Sequence, residues 1–510
     1  MSMTPPKNIV IIGGGTAGWM SASLLQHAWA NAGCKITVID SADIPKIGVG
    51  EGSTPALKRF FETLEITESE WMPRCNATYK CGISFPNWVT HTSHNSYFHP
   101  FYSDIDLKTG KAFIHNADLK RQGVVVDAHP DSYWLQSYLA KESRCPKTDI
   151  ALNGTMEYGY HFDSALLGEY LKERAIGLGA RHVCDTVEHI ETNENNIIKL
   201  LVTQSGEIIS SELFIDCTGF SALLIGKTLN TPFKDYSDSL LNDSAIAIPS
   251  TIKNLEPIAP FTESAALSAG WAWKIPLSSR YGNGYVYSSK YIDSETAEAE
   301  LRAHIGKSCD GMPAKHLSMR LGRVEKHWHK NVLAVGLSQG FIEPLEATAL
   351  MAVQYTLEEF IRSYDQDGLT KQSQFNSKIN AMFDAIKDYI QAHYFLNTRT
   401  DSQYWLDARK QQSCSDKLKQ IIAVWDTANG NLEKILEETQ SQTAYLTPSW
   451  YCLLAGKGRF QQHTTHSVTS DNAVNLDDIS HYFNKVTQHF PPHQQQLQSL
   501  YGKDWIESNE

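Results

Sequence analysis

Along the chain, short β-branched runs alternate with segments whose apolar positions recur at helical spacing, the pattern of an α/β protein. Asn8 to Ile12 is an uninterrupted apolar run, expected of a strand buried on both faces, and Thr16 to about Ala30 follows as a helix. Cys34 to Ile39 reads as a second strand, Ala56 to about Leu64 as a helix, and a helix-like stretch begins at Ser69. Further on, Leu166, Leu167, Tyr170, Leu171 and Ala175 share one helical face, closed by Gly177 and Gly179. Strand-like segments follow at about 181–190 and 197–203 and at Leu213 to Asp216. Trp271 to Pro276 alternates large apolar residues, and the nearby YGNGYVYSS has the look of its hairpin partner. Asn331 to Ile361 repeats the order strand, glycine turn, helix. Beyond Lys371 the pattern is mostly helical, with Ile379, Met382, Phe383, Ile386, Tyr389 and Ile390 on one stripe, read as core. Two stretches give little periodicity: residues 90–146, read as an inserted lobe or covering loops, and Pro491 to Gln496, read as a surface turn.

A chain of 510 residues exceeds the size at which one core stops growing, so cooperating lobes around a shared cleft are expected. The division expected is a box over 1–370, with a substrate-covering segment at about 90–150 inserted in it, and a mainly helical lobe over 371–510. A net charge of −12 without a basic stripe excludes a generic nucleic-acid binder. Nine cysteines without C-x-x-C pairs suggest neither a structural zinc nor a disulfide scaffold, and reduced thiols in a cytoplasm are the plain reading. His91 and His94 have a ligand-like gap but no evident third partner, so no metal is expected. A first strand at residue 8 leaves no room for a signal peptide, and no apolar run approaches the roughly 18 residues of a spanning helix. A soluble cytoplasmic protein is the expectation.

The first candidate chemistry is a dinucleotide site. Gly13, Gly15 and Gly18 fall at G-x-G-x-x-G spacing between strand and helix. The first permits the tight turn, the second lets backbone approach a pyrophosphate, and the third lets helix and strand pack closely. Thr16 and Ala17 open the helix, whose N-H groups and dipole favour phosphate. Asp40, about twenty residues on, is placed to accept from a ribose hydroxyl. The glycine-rich loop holding Gly50 and Glu51 suits backbone laid over a flavin or nicotinamide ring. Gly219 and Gly336, each just beyond a strand, offer further close approaches.

Longer motifs are more specific. Trp271 to Pro276 has the form W-x-W-x-I-P, accompanied by GVGEGSTP (48–55), NATYKCGISFPNW (76–88) and HFDSALLGEYL (161–171). FIDCTGF (214–220), FIEPLEATAL (341–350) and IKDYIQAHYFLNTRTDSQYW (386–405) complete the set. On these motifs, which span most of its length, the chain resembles the flavin-dependent halogenases of the tryptophan-halogenase family. The resemblance implies a Rossmann-like, flavin monooxygenase-type FAD box with a mixed sheet, plus a smaller, mainly helical substrate lobe.

It also implies a chemistry. FAD arrives reduced, as FADH2, from a separate NAD(P)H-dependent flavin reductase, and with O2 forms a flavin hydroperoxide. Halide attacks it to give hypohalous acid, which passes through a tunnel to a small electron-rich aromatic, indole-type, substrate. Lys80 and Glu346 correspond to the lysine and glutamate that direct halogenation. An amine can hold or polarise the halogen, and a carboxylate can orient it and take the ring proton. Trp271 and Trp273, with Ile275 and Pro276, would form the barrier between flavin and substrate. Thr348 and Ala349 correspond to the halide-binding backbone, where many relatives read Ser-Thr-Gly and this chain Ala347-Thr348-Ala349, a departure that raises bromide over chloride as an expectation. His99 and Phe101, in YFHPF, would line the substrate. The segment 445–456 falls where tryptophan-specific relatives hold the amino-acid part of the substrate, with no residue-by-residue match. An aromatic monooxygenase and a catalytically silent flavin-binding protein stay open as rivals, and a homodimer is the expectation from base rates.

Overall fold

Asn8–Ile12 is a central strand of a six-stranded sheet, and its alternate residues serve two cores: Ile9 and Ile11 enter one, Val10 and Ile12 the other. The structure, a computed structural model, describes residues 5–43, 50–90, 94–150, 152, 154–252, 256–364, 369–410, 414–439, 441, 444–460 and 472–502. Across this sheet the order is Trp328–His329, Val332–Ala334, Leu213–Asp216, Asn8–Ile12, Lys35–Ile39, Arg181–Val183. Neighbours are parallel except the first pair. Helices Thr16–Trp29, Ser164–Gly177 and Ala349–Ser363 pack together beside it.

The expected hairpin is present. Gly270–Pro276 pairs antiparallel with Tyr281–Tyr287 in a seven-stranded sheet that also takes in Thr262–Leu267, Gly82–Ser84 and Phe98–Pro100. A small sheet of Gly50–Gly52, Gly159–Asp163 and Thr78–Lys80 brings three quoted motifs side by side. The fold is thus mixed α/β, as expected. The helix Leu369–Phe395 buries all six residues of the predicted stripe. Fully burying one such side chain is worth about 1.5–3 kcal/mol, so this face secures the helix in the main core.

Four readings of the fold need correction. Gly50 to Gly52, read as part of a glycine-rich loop, form a short strand paired antiparallel with residues of Gly159–Asp163. Residues 90–146 are not without regular structure: they contain the strand Phe98–Pro100 and helices Leu107–Arg121 and Leu135–Lys141. The first helix was illegible because its buried face includes Thr109, Gly110, Asn116 and Arg121, which are not apolar. Asn116 is satisfied by Tyr133 and the Val474 carbonyl, and Arg121 by carbonyls of Val424, Trp425, Thr427 and Gly430. Burial of polar groups is tolerable when they are hydrogen-bonded in this way. Leu166, assigned to a buried face, is exposed at 38%. Pro491 to Gln496 is no surface turn: the helix His493–Tyr501 starts there, and His493 is buried, accepting from the Tyr79 N-H and donating to the Ile258 carbonyl. Among the described residues no helix is long and apolar enough to cross a membrane.

Candidate functional site

A cavity of about 660 Å³ runs from the glycine turn to Trp271 and Trp273. Its first wall comprises Gly13, Gly15, Thr16, Ala17, Asp40, Gly50, Glu51, Gly219 and Gly336, nine of the ten residues expected to touch a dinucleotide. The tenth, Gly18, packs behind the wall: a Cβ there would stand 1.9 Å from the Gly13 carbonyl oxygen, the close approach its position predicts. By contrast, Gly15 and Gly219 have nothing within 4 Å of where a Cβ would stand, so their backbone is bare toward the cavity. The helix Thr16–Trp29 has no side-chain cap, which leaves first-turn N-H groups for a phosphate. Asp40 accepts from the Gly14 N-H at 3.2 Å. Burial pushes the Glu51 carboxyl up to about 7. Bare backbone, free N-H groups and an acidic residue beyond the second strand fit FAD.

Trp271, Trp273 and Ile275 project from one face of their strand onto this cavity. The Trp273 ring has room because Gly284 lies opposite it: a Cβ on Gly284 would fall 2.0 Å from Trp273 Cζ2. Pro276, expected in the same barrier, is not on the cavity wall. It ends the strand, and its carbonyl accepts from Thr78 Oγ1 at 2.7 Å.

That bond orients the lysine side of the site. With its hydrogen given to Pro276, Thr78 Oγ1 accepts from His161 Nδ1 at 3.0 Å, and His161 Nε2 accepts from Thr262 Oγ1 at 3.0 Å. Burial keeps this ring neutral. Lys80, two residues along the strand from Thr78, lines the cavity fully buried, its Nζ without a hydrogen-bond partner. Burial lowers the amine to about 7, opposed by the Glu346 charge. Gly52 makes the space: a Cβ there would stand 2.9 Å from Lys80 Nζ. Phe101 lies under the amine, ring centre 5.4 Å away.

Glu346 ends a short turn, Pro344–Glu346, and Ala347 follows in the left-handed region at φ 56°. The carboxylate is buried. His99 Nδ1 lies 3.1 and 3.0 Å from its two oxygens, and His393 Nε2 lies 2.9 Å from Oε1. Burial alone would raise this carboxyl, but His99 and His393 outweigh it and hold it down to about 2. Burial lowers His393 to about 4, so its neutral ring donates from Nε2 and accepts from the Tyr97 hydroxyl at Nδ1, 3.2 Å. Tyr389 and Tyr445 stack at 3.6 Å beside His99, with Trp450 edge-on to Tyr389.

His99 and Phe101, both expected to line an aromatic substrate, thus touch Glu346 and Lys80. His393 was missed as a partner, although its signal was present: it continues the stripe of Ile386, Tyr389 and Ile390, a polar residue on an apolar face. His161 and Thr262 were missed because only the sheet pairings bring them to Lys80. Thr348 and Ala349 line the cavity where the helix Ala349–Ser363, which has no side-chain cap, begins. His94 stacks on His129, and His91 lies outside the described residues, as do residues 44–49 of the glycine-rich loop.

The fold is that of the flavin-dependent halogenases: a Rossmann-like box whose cavity is lined by Trp271, Trp273 and a buried amine, with a histidine-held carboxylate. The tryptophan halogenase family profile matches residues 8–472, and the chain belongs to that family. It is 36% identical over 471 residues to 7-chloro-L-tryptophan 6-halogenase KtzR of Kutzneria sp. (strain 744), covering 88% of this chain and 90% of that one. To tryptophan 7-halogenase RebH of Lentzea aerocolonigenes it is 34% identical, covering 88% and 89%. Among solved structures, a tryptophan C-6 flavin-dependent halogenase (chlorinase) from taromycin biosynthesis superposes with TM-score 0.84 at 31% identity, covering 97% of this chain and 100% of that one. BrvH, a flavin-dependent halogenase from Brevundimonas sp. BAL3, gives 0.83 at 28%, covering 98% and 100%. The protein is therefore an enzyme, a flavin-dependent halogenase.

Proposed function

We propose that this enzyme halogenates an electron-rich, indole-type aromatic through hypohalous acid guided by Lys80 and Glu346. The carrying observation is the buried, unpartnered Lys80 Nζ on the wall of the cavity that Trp271 and Trp273 also line. Reduced FAD with O2 supplies the oxidising equivalent that turns halide into hypohalous acid. Lys80, with an amine near 7, presents both a donor and a lone pair at neutral pH, which suits holding that acid or taking its halogen. Glu346, held anionic, is suited to accept the proton lost from the ring carbon. Trp271 and Trp273 keep an organic substrate from the flavin, and N-H groups at Thr348 and Ala349 seat the halide. Several relatives are named for tryptophan or chlorotryptophan as substrate, and the Tyr389, Tyr445 and Trp450 rings beside His99 favour a flat aromatic here.

The reading includes a separate NAD(P)H-dependent flavin reductase, in keeping with the single dinucleotide motif, and a cytoplasmic setting, in keeping with nine cysteines that are all free thiols. A homodimer completes it. The test is mass spectrometry of products from indole, tryptophan and a phenol panel, with FAD, a generic flavin reductase, NADH, O2, and bromide or chloride. Lys80→Ala and catalase-treated reactions run alongside. A halogen isotope pattern that requires Lys80 supports the reading, hydroxylated product without halide favours the monooxygenase, and competing equal bromide and chloride ranks the halides.

A further inference from the structure

Gly52, His161 and Thr78 stand in one row across the small sheet, with Gly52 and Thr78 each paired to His161 from opposite sides. Directly opposed residues share a face, and Lys80, two residues beyond Thr78, shares it as well. The row meets Thr262, which opens the strand Thr262–Leu267 of the seven-stranded sheet. A Cβ on Gly52 would stand 2.9 Å from Lys80 Nζ, 3.2 Å from Thr262 Oγ1 and 3.5 Å from His161 Cδ2. Amine and hydroxyl therefore border the same bare backbone, and Gly52, Lys80 and Thr262 all line the cavity.

The hydrogen of the Thr262 hydroxyl is already committed. A carbonyl only accepts, so Thr78 Oγ1 donates to Pro276 at 2.7 Å and has only lone pairs left for His161 Nδ1 at 3.0 Å. His161 must then carry its hydrogen on Nδ1, and its ring, kept neutral by burial, offers a lone pair at Nε2. Thr262 Oγ1, 3.0 Å from Nε2, donates there. What Thr262 shows the cavity is thus an acceptor and no donor, beside an amine that has no hydrogen-bond partner among the described residues. Ser264 lies two residues along the same strand, paired with Trp273 on the cavity side. Its buried hydroxyl also lacks a partner among the described residues. Buried polar groups are costly when unsatisfied, so this wall suits a small guest with both a donor and an acceptor.

We propose that Thr262 is a second anchor for hypohalous acid at Lys80: Thr262 Oγ1 accepts the O-H of the acid while the Lys80 amine donates to its oxygen. Thr78 and His161 are positioning residues that keep the Thr262 hydroxyl an acceptor. The halogen is then the one atom of the acid left unheld. The identity of the guest rests on the reading of Lys80 given above. The His161 tautomer does not.

Two measurements test this. In ¹⁵N-histidine-labelled, flavin-free enzyme, with His161 assigned by His161→Asn, the ¹⁵N spectrum at neutral pH is expected to show a neutral ring protonated at Nδ1. A ring protonated at Nε2, or at both nitrogens, overturns the proposal whether or not any Thr262 variant folds. The second measurement uses FAD, a flavin reductase, NADH, O2, bromide or chloride and an aromatic that the wild type halogenates, with a 1,3-diketone in solution to trap escaped hypohalous acid. In Thr262→Val, halogenated product per flavin oxidised is expected to fall by about 3- to 10-fold, the worth of one neutral hydrogen bond, while trapped halogen rises. Thr262→Ser, which keeps the hydroxyl, restores the yield. Wild-type yield in Thr262→Val with Lys80→Ala inactive overturns the anchor alone. Wild-type yield in Lys80→Ala overturns the reading of Lys80, and the anchor with it.

Discussion

His99 Nδ1 stands within hydrogen-bond distance of both Glu346 oxygens, at 3.1 and 3.0 Å, and the two residues are 247 positions apart in the chain. A buried carboxylate needs this support. In His99→Phe the donor is lost and the carboxyl rises from about 2, so the pH at which product formation falls off on the acid side moves upward. The lost bond to a charged group costs about 1.5–3 kcal/mol of stability at pH 7. Urea melts and a kcat profile carried from pH 9 down to the lowest pH the fold survives check both; a variant whose acid limb lies no higher than that of the wild type contradicts the assignment.

Lys80 gives a pH-dependent stability of defined sign. Its amine is near 7 folded and 10.5 unfolded, so between these values the unfolded chain binds more protons and stability rises with pH. Lys80→Met removes this dependence. The variant is expected to be more stable than the wild type at pH 7, by a few kcal/mol at most, with the gap closing toward pH 10. Thermal melts across that range measure it. Halogenation should fall by about 10² or more, as for loss of a positioned acid–base group.

Gly15→Val places a side chain into open cavity at a backbone conformation that valine accepts. Flavin affinity should fall by about 10-fold or more, the equivalent of roughly 1–3 kcal/mol of overlap, with little change in the melting temperature. Flavin fluorescence titration reads the affinity. Wild-type affinity would mean that the cofactor does not approach this turn.

Gly284→Ala forces a Cβ to within 2.0 Å of Trp273 Cζ2, between paired strands where neither neighbour can yield easily. A destabilisation of about 1–3 kcal/mol is expected, with Trp273 displaced. Trp273→Ala, which leaves a void, costs about 3–5 kcal/mol. Adding it to Gly284→Ala should relieve the clash with the ring, leaving the 2.6 Å approach to the Ile246 carbonyl oxygen, so the double variant is less destabilised than the sum. Chemical denaturation of the three variants tests the coupling, and strict additivity would contradict it.

Much was legible without the fold because its signals are local. The strand Asn8–Ile12, the glycine turn, the W-x-W hairpin and the stripe from Ile379 to Ile390 each follow from steric or periodic rules within a few residues. The helix Leu107–Arg121 was not, because its buried groups are satisfied by distant carbonyls that no local pattern displays. Pro491 to Gln496 failed for a related reason: polar composition suggested surface, while His493 is buried against Tyr79 and Ile258.

The sequence by itself determined the α/β class and the glycine turn through periodicity and spacing, and family motifs singled out Lys80 and Glu346 as candidates. Only the tertiary structure decided the electrostatic state of that pair. Lys80 is deprived of partners by the pairing of three short strands, and Glu346 is held by histidines from a distant strand and helix. Charge states depend on burial and on neighbours in space, and chain folding alone sets both.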